Sequence, residues 1–156
     1  MKKSRIGILT GGGDCAGINP AIKWAVKTAL DERVQRDRGI QYEVLGIRDG
    51  WKGLTQDDPK EIEQYVIPLN QEITRTWDRY GGTMLGTSRT NPYDPKNDQS
   101  KVVLSNIKTL GLDALVVIGG DDTLSVAHKL AHEGVNVVGI PKTIDRDLPE
   151  TDYTLG

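Results

Sequence analysis

Two kinds of apolar pattern alternate along the chain. Short continuous apolar runs predict buried strands, and longer segments with apolar residues every three or four positions predict helices. This alternation is typical of an α/β fold, an open and mostly parallel sheet flanked by helices in a Rossmann-like three-layer arrangement. The predicted strands are residues 5–10, 42–47, 114–118 and 135–140, and the predicted helices are residues 18–30, 101–110 and 123–132.

Other segments give a weaker pattern. Asn19 is predicted to cap the first helix, with Pro20 at its first position. Residues 31–38 alternate in charge, which indicates the solvated end of a helix. Residues 49–54, which include Trp51, predict a turn. Residues 61–67 fit neither pattern clearly, and residues 79–93 are rich in glycine, which predicts a loop.

Composition excludes several functional classes. The 156 residues are enough for one domain, and no window approaches the roughly 18 apolar residues that a membrane helix needs. A net charge of −2 gives no reason to expect nucleic acid or an anionic membrane as a partner. The single cysteine, Cys15, is interpreted as a packed structural residue and fits a reducing, cytoplasmic location.

Three polar loops follow predicted strands, at residues 10–17, 119–123 and 141–147. Ligands of open parallel sheets bind outside the carboxyl ends of the strands, so the three loops are expected to converge on one crevice. The first offers unhindered amides at the start of a helix, which favours an anion. A tight turn without a ligand is the alternative. No Gly-Lys-Ser/Thr follows it, so it is not a Walker loop.

The second and third loops carry the charged side chains. Asp121 and Asp122 follow two glycines, and adjacent carboxylates at a strand end suit Mg²⁺ with phosphate oxygens. The alternative is that they cap the next helix. In the third loop, Asp145 is a candidate general base and Lys142 a candidate for neutralising phosphate charge. A solvated loop held by ion pairs is the alternative there.

Four motifs in this order and spacing, GGGDCAGIN, GGTMLGTSR, IGGDDT and PKTID, resemble the N-terminal half of a phosphofructokinase. The resemblance covers residues 5–156. It implies Mg²⁺-dependent transfer of a phosphoryl group to the 1-hydroxyl of fructose 6-phosphate, in glycolysis. The PKTID and GTSR motifs argue against the related NAD and lipid kinases, which share a GGDGT-like loop.

The resemblance also implies roles for individual residues. Asp121 would bind Mg²⁺, and Asp145 would be the catalytic base. Thr143 and Asp145 would contact the sugar, and Asp147 would support the metal or the loop. The residues implied at the donor phosphates are Gly13, Arg89, Gly120 and Thr123.

Two positions indicate the phosphoryl donor. ATP-dependent relatives typically have Gly in place of Asp122, and bacterial ones usually have Gly in place of Lys142. Asp122 would repel the α-phosphate of ATP. Lys142 would stabilise the leaving group of pyrophosphate, which has no adenosine to anchor it. The pair resembles the pyrophosphate-dependent enzymes, with ATP dependence as the alternative.

Two features depart from the family pattern. Arg146 stands where Asn is usual, and an ion pair with its acidic neighbours would lower the pKa of Asp145. An arginine side chain that points to solvent is the alternative. Relatives also continue past Gly156 into a half that carries most sugar-phosphate contacts. The chain is therefore expected to be one donor-binding domain over residues 1–156. This domain would be part of a longer protein, or it would be completed by another chain or by a second copy in a homo-oligomer. A non-catalytic assembly subunit is the remaining alternative.

Overall fold

A computed structural model describes residues 1–156. Its main sheet has five strands in the order β3-β2-β1-β6-β7, and a short hairpin joins β4 and β5. The strands are β1 (Lys2–Thr10), β2 (Ile40–Ile47), β3 (Val66–Leu69), β4 (Tyr93–Asp94), β5 (Asn97–Asp98), β6 (Ala114–Gly119) and β7 (Val137–Pro141). The helices are α1 (Ile18–Ala29), α2 (Glu32–Arg38), α3 (Pro59–Gln64), α4 (Gln71–Thr74), α5 (Ser100–Thr109) and α6 (Asp121–His132), with 3₁₀ turns at Gly50–Leu54 and Trp77–Arg79.

The sheet is mostly parallel, as the apolar runs predicted. The central strand β1 pairs in parallel with β2 and β6, and β6 pairs in parallel with β7. Only β3 is antiparallel, with Leu69 opposite Val44 at the edge of the sheet. The α/β class with helices on both faces is therefore confirmed.

Successive side chains of the central strands supply two cores, one on each face. Ile8 packs under α1, and the next residue, Leu9, packs on the opposite face under α5 and α6. Val117 and Ile118 of β6 divide in the same way. This alternation follows from the two-residue period of a strand, and burial on both faces explains why the strands are apolar throughout.

The least regular region of the sequence forms two short elements. Asp58 accepts a hydrogen bond from the Lys60 amide and begins α3, whose first residue is Pro59. The strand β3 follows directly after Tyr65. Six helical residues and four strand residues are too few to establish either period, so the sequence pattern was ambiguous.

Two predictions about helix ends were wrong. Residues 31–38 do not extend α1, because Asp31 caps a separate helix α2, which ends at Gly39 in the left-handed conformation. Asn19 does not cap α1, because the N-cap is Gly17 and the Asn19 side chain is buried elsewhere. Pro20 accordingly lies at the third helical position instead of the first.

Several large apolar side chains lie on the surface. Trp24 is 57% exposed, Val138 57% and Ile144 67%. Trp24 borders an apolar groove of about 500 Å³ whose floor includes Ile6, Val44 and Val116. None of the helices combines the length and the apolar character that crossing a bilayer requires.

Candidate active site

The three predicted loops meet at the carboxyl end of the sheet. The chain leaves β1 toward β2 on one side and leaves β6 toward β7 on the other, so the crevice lies between β1 and β6. This is the position where open α/β sheets bind ligands. A cleft of about 830 Å³ opens there, and the residues that line it are Gly12, Gly13, Trp51, Thr87, Ser88, Arg89, Thr90, Asn91, Asp122, Thr123, Ser125, Val126 and Lys129.

Glycine lets the first two loops approach each other closely. The Thr123 side chain lies against Gly11 and Gly119, and a β-carbon on either glycine would be within 2.7 Å of Thr123 Cγ2. Thr123 is buried there and also borders the cleft. Its side chain therefore positions the start of α6 against the first loop. This role is additional to the phosphate contact that the resemblance implied for Thr123.

Lys142 joins the third loop to the first. It is 6% exposed, and its ammonium group donates a hydrogen bond to the Gly13 carbonyl oxygen. Its backbone amide donates to the Gly119 carbonyl oxygen at 2.9 Å. Gly12 has a φ of 77°, and a β-carbon there would lie 3.1 Å from Lys142 Nζ. A positive charge is thus held directly behind the loop that lines the cleft.

The two carboxylates at the start of α6 point in different directions. Gly120 is the N-cap, so Asp121 and Asp122 are the first two helical residues, and neither side chain caps the helix. Asp122 lines the cleft. Asp121 instead borders a neighbouring pocket with Pro141 and Leu148, on the side of the third loop. Both charges lie at the positive end of the helix dipole, which stabilises them.

The glycine-rich segment 80–86 is fastened to the first loop by three polar side chains. Thr10 hydrogen-bonds to Thr83 Oγ1 and to the Gly86 carbonyl oxygen, both at 2.8 Å. Asp14 accepts from the Thr83 amide at 2.9 Å. Sequence reasoning missed these two residues, because the partners are about 70 positions away and no local pattern marks them.

Asn19 makes the third attachment. Its side-chain amide donates to the carbonyl oxygens of Tyr80 at 2.9 Å and Gly82 at 2.6 Å. Its carbonyl oxygen accepts from the Met84 amide at 2.9 Å. These bonds hold the segment that leads into Arg89 and explain why this asparagine is fully buried.

Trp51 is a cleft residue that the sequence did not reveal. It lies in a 3₁₀ turn, is 3% exposed and borders the cleft. Its indole Nε1 is the only buried side-chain polar atom without a hydrogen-bond partner. An aromatic residue in a predicted turn carries no signal of such a position.

Two cations stand at the open side of the cleft. Arg89 and Lys129 both line it and both are exposed. The Lys129 ammonium lies 5.1 Å from the centre of the Tyr93 ring. Burial, reinforced by the Glu133 carboxylate, raises the pKa of Tyr93 to about 12, so the phenol stays neutral beside this lysine.

The third loop is ordered by its own hydrogen bonds. Thr143 Oγ1 pairs with the Asp147 carboxylate and accepts from the Asp145 amide at 3.2 Å. The Asp145 side chain is exposed and lies outside the lining of the cleft. Arg146 has a φ of 53° and forms no ion pair with either acidic neighbour. Of the two arrangements considered for Arg146, the ion pair is absent, and the residue is exposed.

The residues present suit a magnesium ion only when a phosphate ligand accompanies it. No three His, Cys, Asp or Glu side chains form a cluster that could hold a metal ion. Mg²⁺ commonly takes one or two carboxylates and fills its other positions with water and phosphate oxygens. The single carboxylate of Asp121, beside the cleft, fits that donor set.

Comparison with known proteins gives consistent matches. The phosphofructokinase family profile matches residues 5–156. A "Pyrophosphate--fructose 6-phosphate 1-phosphotransferase" of Dictyoglomus thermophilum is 49% identical over 156 residues, which cover 100% of this chain and 40% of the relative. An "ATP-dependent 6-phosphofructokinase 3" of Bacteroides thetaiotaomicron is 42% identical, over 97% of this chain and 43% of the relative. The chain thus spans about 40% of the length of the curated relatives it matches.

A solved structure agrees on the fold. The phosphofructokinase of Saccharomyces cerevisiae superposes with a TM-score of 0.76 at 25% identity, over 98% of this chain and 21% of that one. The family match covers nearly the whole chain and includes all three loops at this end of the sheet. The chain therefore belongs to the phosphofructokinase family.

Proposed function

We propose that residues 1–156 provide the donor-binding lobe of an enzyme that transfers a phosphoryl group from pyrophosphate to fructose 6-phosphate. The products are fructose 1,6-bisphosphate and phosphate. The observation that carries the proposal is the Lys142 ammonium bound behind Gly13, with Asp122 in the same cleft. A role in glycolysis and a cytoplasmic location accompany this proposal.

The cleft favours pyrophosphate through the placement of its charges. The exposed amides of Gly12 and Gly13 suit a terminal phosphate, and Lys142 provides a compensating charge close behind them. Asp122 lines the same cleft at the start of α6 and would oppose the α-phosphate of a nucleotide. Arg89 and Thr123 supply further donors to phosphate oxygens, and Gly120 leaves the N-terminus of the helix unobstructed.

The transfer step assigns Asp145 as the general base. Its carboxylate would accept the proton of the sugar 1-hydroxyl as that oxygen attacks one phosphorus of pyrophosphate. The bridging P–O bond breaks, and its electron pair leaves with the phosphate. Thr143 would orient the sugar beside Asp145. The bond between Thr143 and Asp147 holds this loop in place for that contact.

Asp121 would hold a magnesium ion, together with oxygens of the pyrophosphate. When bound, that ion would neutralise part of the charge that develops on the transferring phosphoryl group. Asp121 lies on the side of α6 that faces the third loop.

An ATP-dependent enzyme is the second candidate, because one relative with that printed name is 42% identical. The proposal also includes a binding site for fructose 6-phosphate and association of the chain with further polypeptide. The exposed apolar groove beside Trp24 supports association with further polypeptide, either within a longer chain or in an oligomer.

Calorimetric titration of the 156-residue chain with magnesium pyrophosphate and with magnesium ATP tests the donor assignment. Tighter binding of pyrophosphate, by at least about tenfold, is the expected result. Tighter binding of ATP would establish the second candidate. A coupled assay with fructose 6-phosphate then asks whether this chain also completes a sugar site, and catalysis of any transfer by the chain alone would show that it does.

A further inference from the structure

The chain contains two histidines, and the fold brings them together. His128 and His132 are four residues apart on α6, and residues with this spacing face each other on a helix. Their Nε2 atoms are 3.1 Å apart, and the rings meet edge to face with centroids 4.5 Å apart. Both side chains are exposed to solvent, away from the lining of the donor cleft.

We propose that His128 and His132 form a chelating site for a transition-metal dication, with water in the remaining coordination positions. In the metal-free chain, one Nε2 carries the proton that is shared with the other. A metal ion would accept a lone pair from each Nε2, and the ring that carried this proton would then hold its proton on Nδ1.

The nitrogen spacing matches a bidentate metal site. Imidazole nitrogens bind such ions at about 2.0–2.1 Å, so a separation of 3.1 Å corresponds to an angle of about 95–100° at the metal. This angle is close to that of neighbouring ligands in square-planar or octahedral complexes, which Cu²⁺ and Ni²⁺ adopt. Because both rings are exposed, they can rotate to direct their lone pairs at one point.

The position on the helix also favours a cation. His132 is the last residue of α6, where the helix dipole is negative. Imidazole ligands select transition metals over Mg²⁺, which prefers oxygen. This ligand preference would distinguish the site from the proposed magnesium position at Asp121, which borders the same pocket as His128, whereas His132 lies at the other end of the helix.

Titration of the tag-free chain with CuCl₂, NiCl₂ and MgCl₂ tests the proposal. We expect one Cu²⁺ or Ni²⁺ per chain, tightest for Cu²⁺, an increase in melting temperature, and no effect of Mg²⁺ at this site. His128→Ala and His132→Ala are each expected to lower the affinity about 100-fold, because one tethered ligand is lost.

A double variant, Lys129→His with His132→Ala, is the matched control. It keeps two histidines but places them on adjacent residues, which do not face each other on a helix. It should bind as weakly as the single variants. In the unaltered chain, the imidazole proton resonances of both histidines should broaden together as Ni²⁺ is added, which requires no variant.

The proposal is overturned if the single variants or the double variant bind Cu²⁺ and Ni²⁺ as tightly as the unaltered chain. It is equally overturned if the two imidazole signals respond independently, or if neither ion binds up to about 1 mM. None of these measurements depends on phosphoryl transfer, so they are independent of the proposed function.

Discussion

The ammonium group of Lys142 donates a hydrogen bond to the carbonyl oxygen of Gly13, across 129 positions of the sequence. No carboxylate forms an ion pair with this buried lysine. Removing a buried charge from water is costly unless it is well paired, and this one is held by a backbone carbonyl. Such an arrangement is typical of a residue retained for function at a cost in stability.

Replacing Lys142 should therefore affect pyrophosphate binding and the melting temperature differently. We expect Lys142→Met to weaken pyrophosphate binding at least about tenfold without lowering the melting temperature, because a buried charge is removed. Calorimetry and thermal denaturation measure the two effects. Lys108→Met, on the exposed face of α5, is the control for overall charge. A large fall in melting temperature would show that Lys142 is chiefly structural.

Asp122 should determine which donor binds. We expect Asp122→Gly to improve ATP binding relative to pyrophosphate by about tenfold, since both a repelling charge and a side chain leave the cleft. Asp122→Asn keeps the size and removes the charge, so it separates repulsion from crowding. An unchanged preference in both variants would show that Asp122 does not select the donor.

Arg146 should be a site where stability can be gained. Its φ of 53° is unfavourable for a residue with a long side chain, and it has no ion pair to lose. We expect Arg146→Gly to raise the free energy of unfolding by about 0.5–1 kcal/mol, measured by urea denaturation. Arg36→Gly, inside α2, should instead destabilise the chain. A loss of stability in Arg146→Gly would reveal a contact made by the arginine.

Replacing Asn19 should lower the free energy of unfolding by more than the loss of a helix cap does. Asn19→Ala leaves two carbonyl oxygens and one amide without their partner, so we expect a loss of at least about 2 kcal/mol in the free energy of unfolding. Hydrogen exchange at the Met84 amide should accelerate in the same variant. A loss near 1 kcal/mol with unchanged exchange at Met84 would be the signature of a simple cap.

The ion pair between Lys23 and Asp78 should give the chain a small acid sensitivity. Lys23 Nζ lies 2.9 Å from Asp78 Oδ2, and the hydrogen bond from Lys23 lowers the pKa of Asp78 below its ordinary value of 3.8. A carboxyl group whose pKa is lower in the folded chain than in the unfolded chain stabilises the fold at any pH above its unfolded-state pKa. This stabilisation is lost as the pH falls through its folded-state pKa. The stability difference between the unaltered chain and Asp78→Asn should be constant from about pH 5 to 7 and should vanish at lower pH.

Local pattern predicted the parallel sheet and the identity of the charged loops, because strand burial and glycine clusters leave a direct mark on the sequence. It could not predict that Asn19 and Asp14 fasten residues 80–84, since those bonds depend on segments distant along the chain. For the same reason Trp51 was placed only in a turn. The different directions of Asp121 and Asp122 follow from where α6 begins, two residues earlier than its apolar period indicated.

The pairing of β1 has a consequence for the order in which the chain acquires its structure during synthesis. The strand β1 pairs with β2 nearby but also with β6, which is synthesised more than a hundred residues later. Contacts of such separation form slowly, and the ammonium bond to Gly13 must wait until Lys142 has been added. The segment 11–13 is thus made long before its contact with Lys142 can form, so a nascent chain that ends before Lys142 has no finished cleft in which to bind a phosphate.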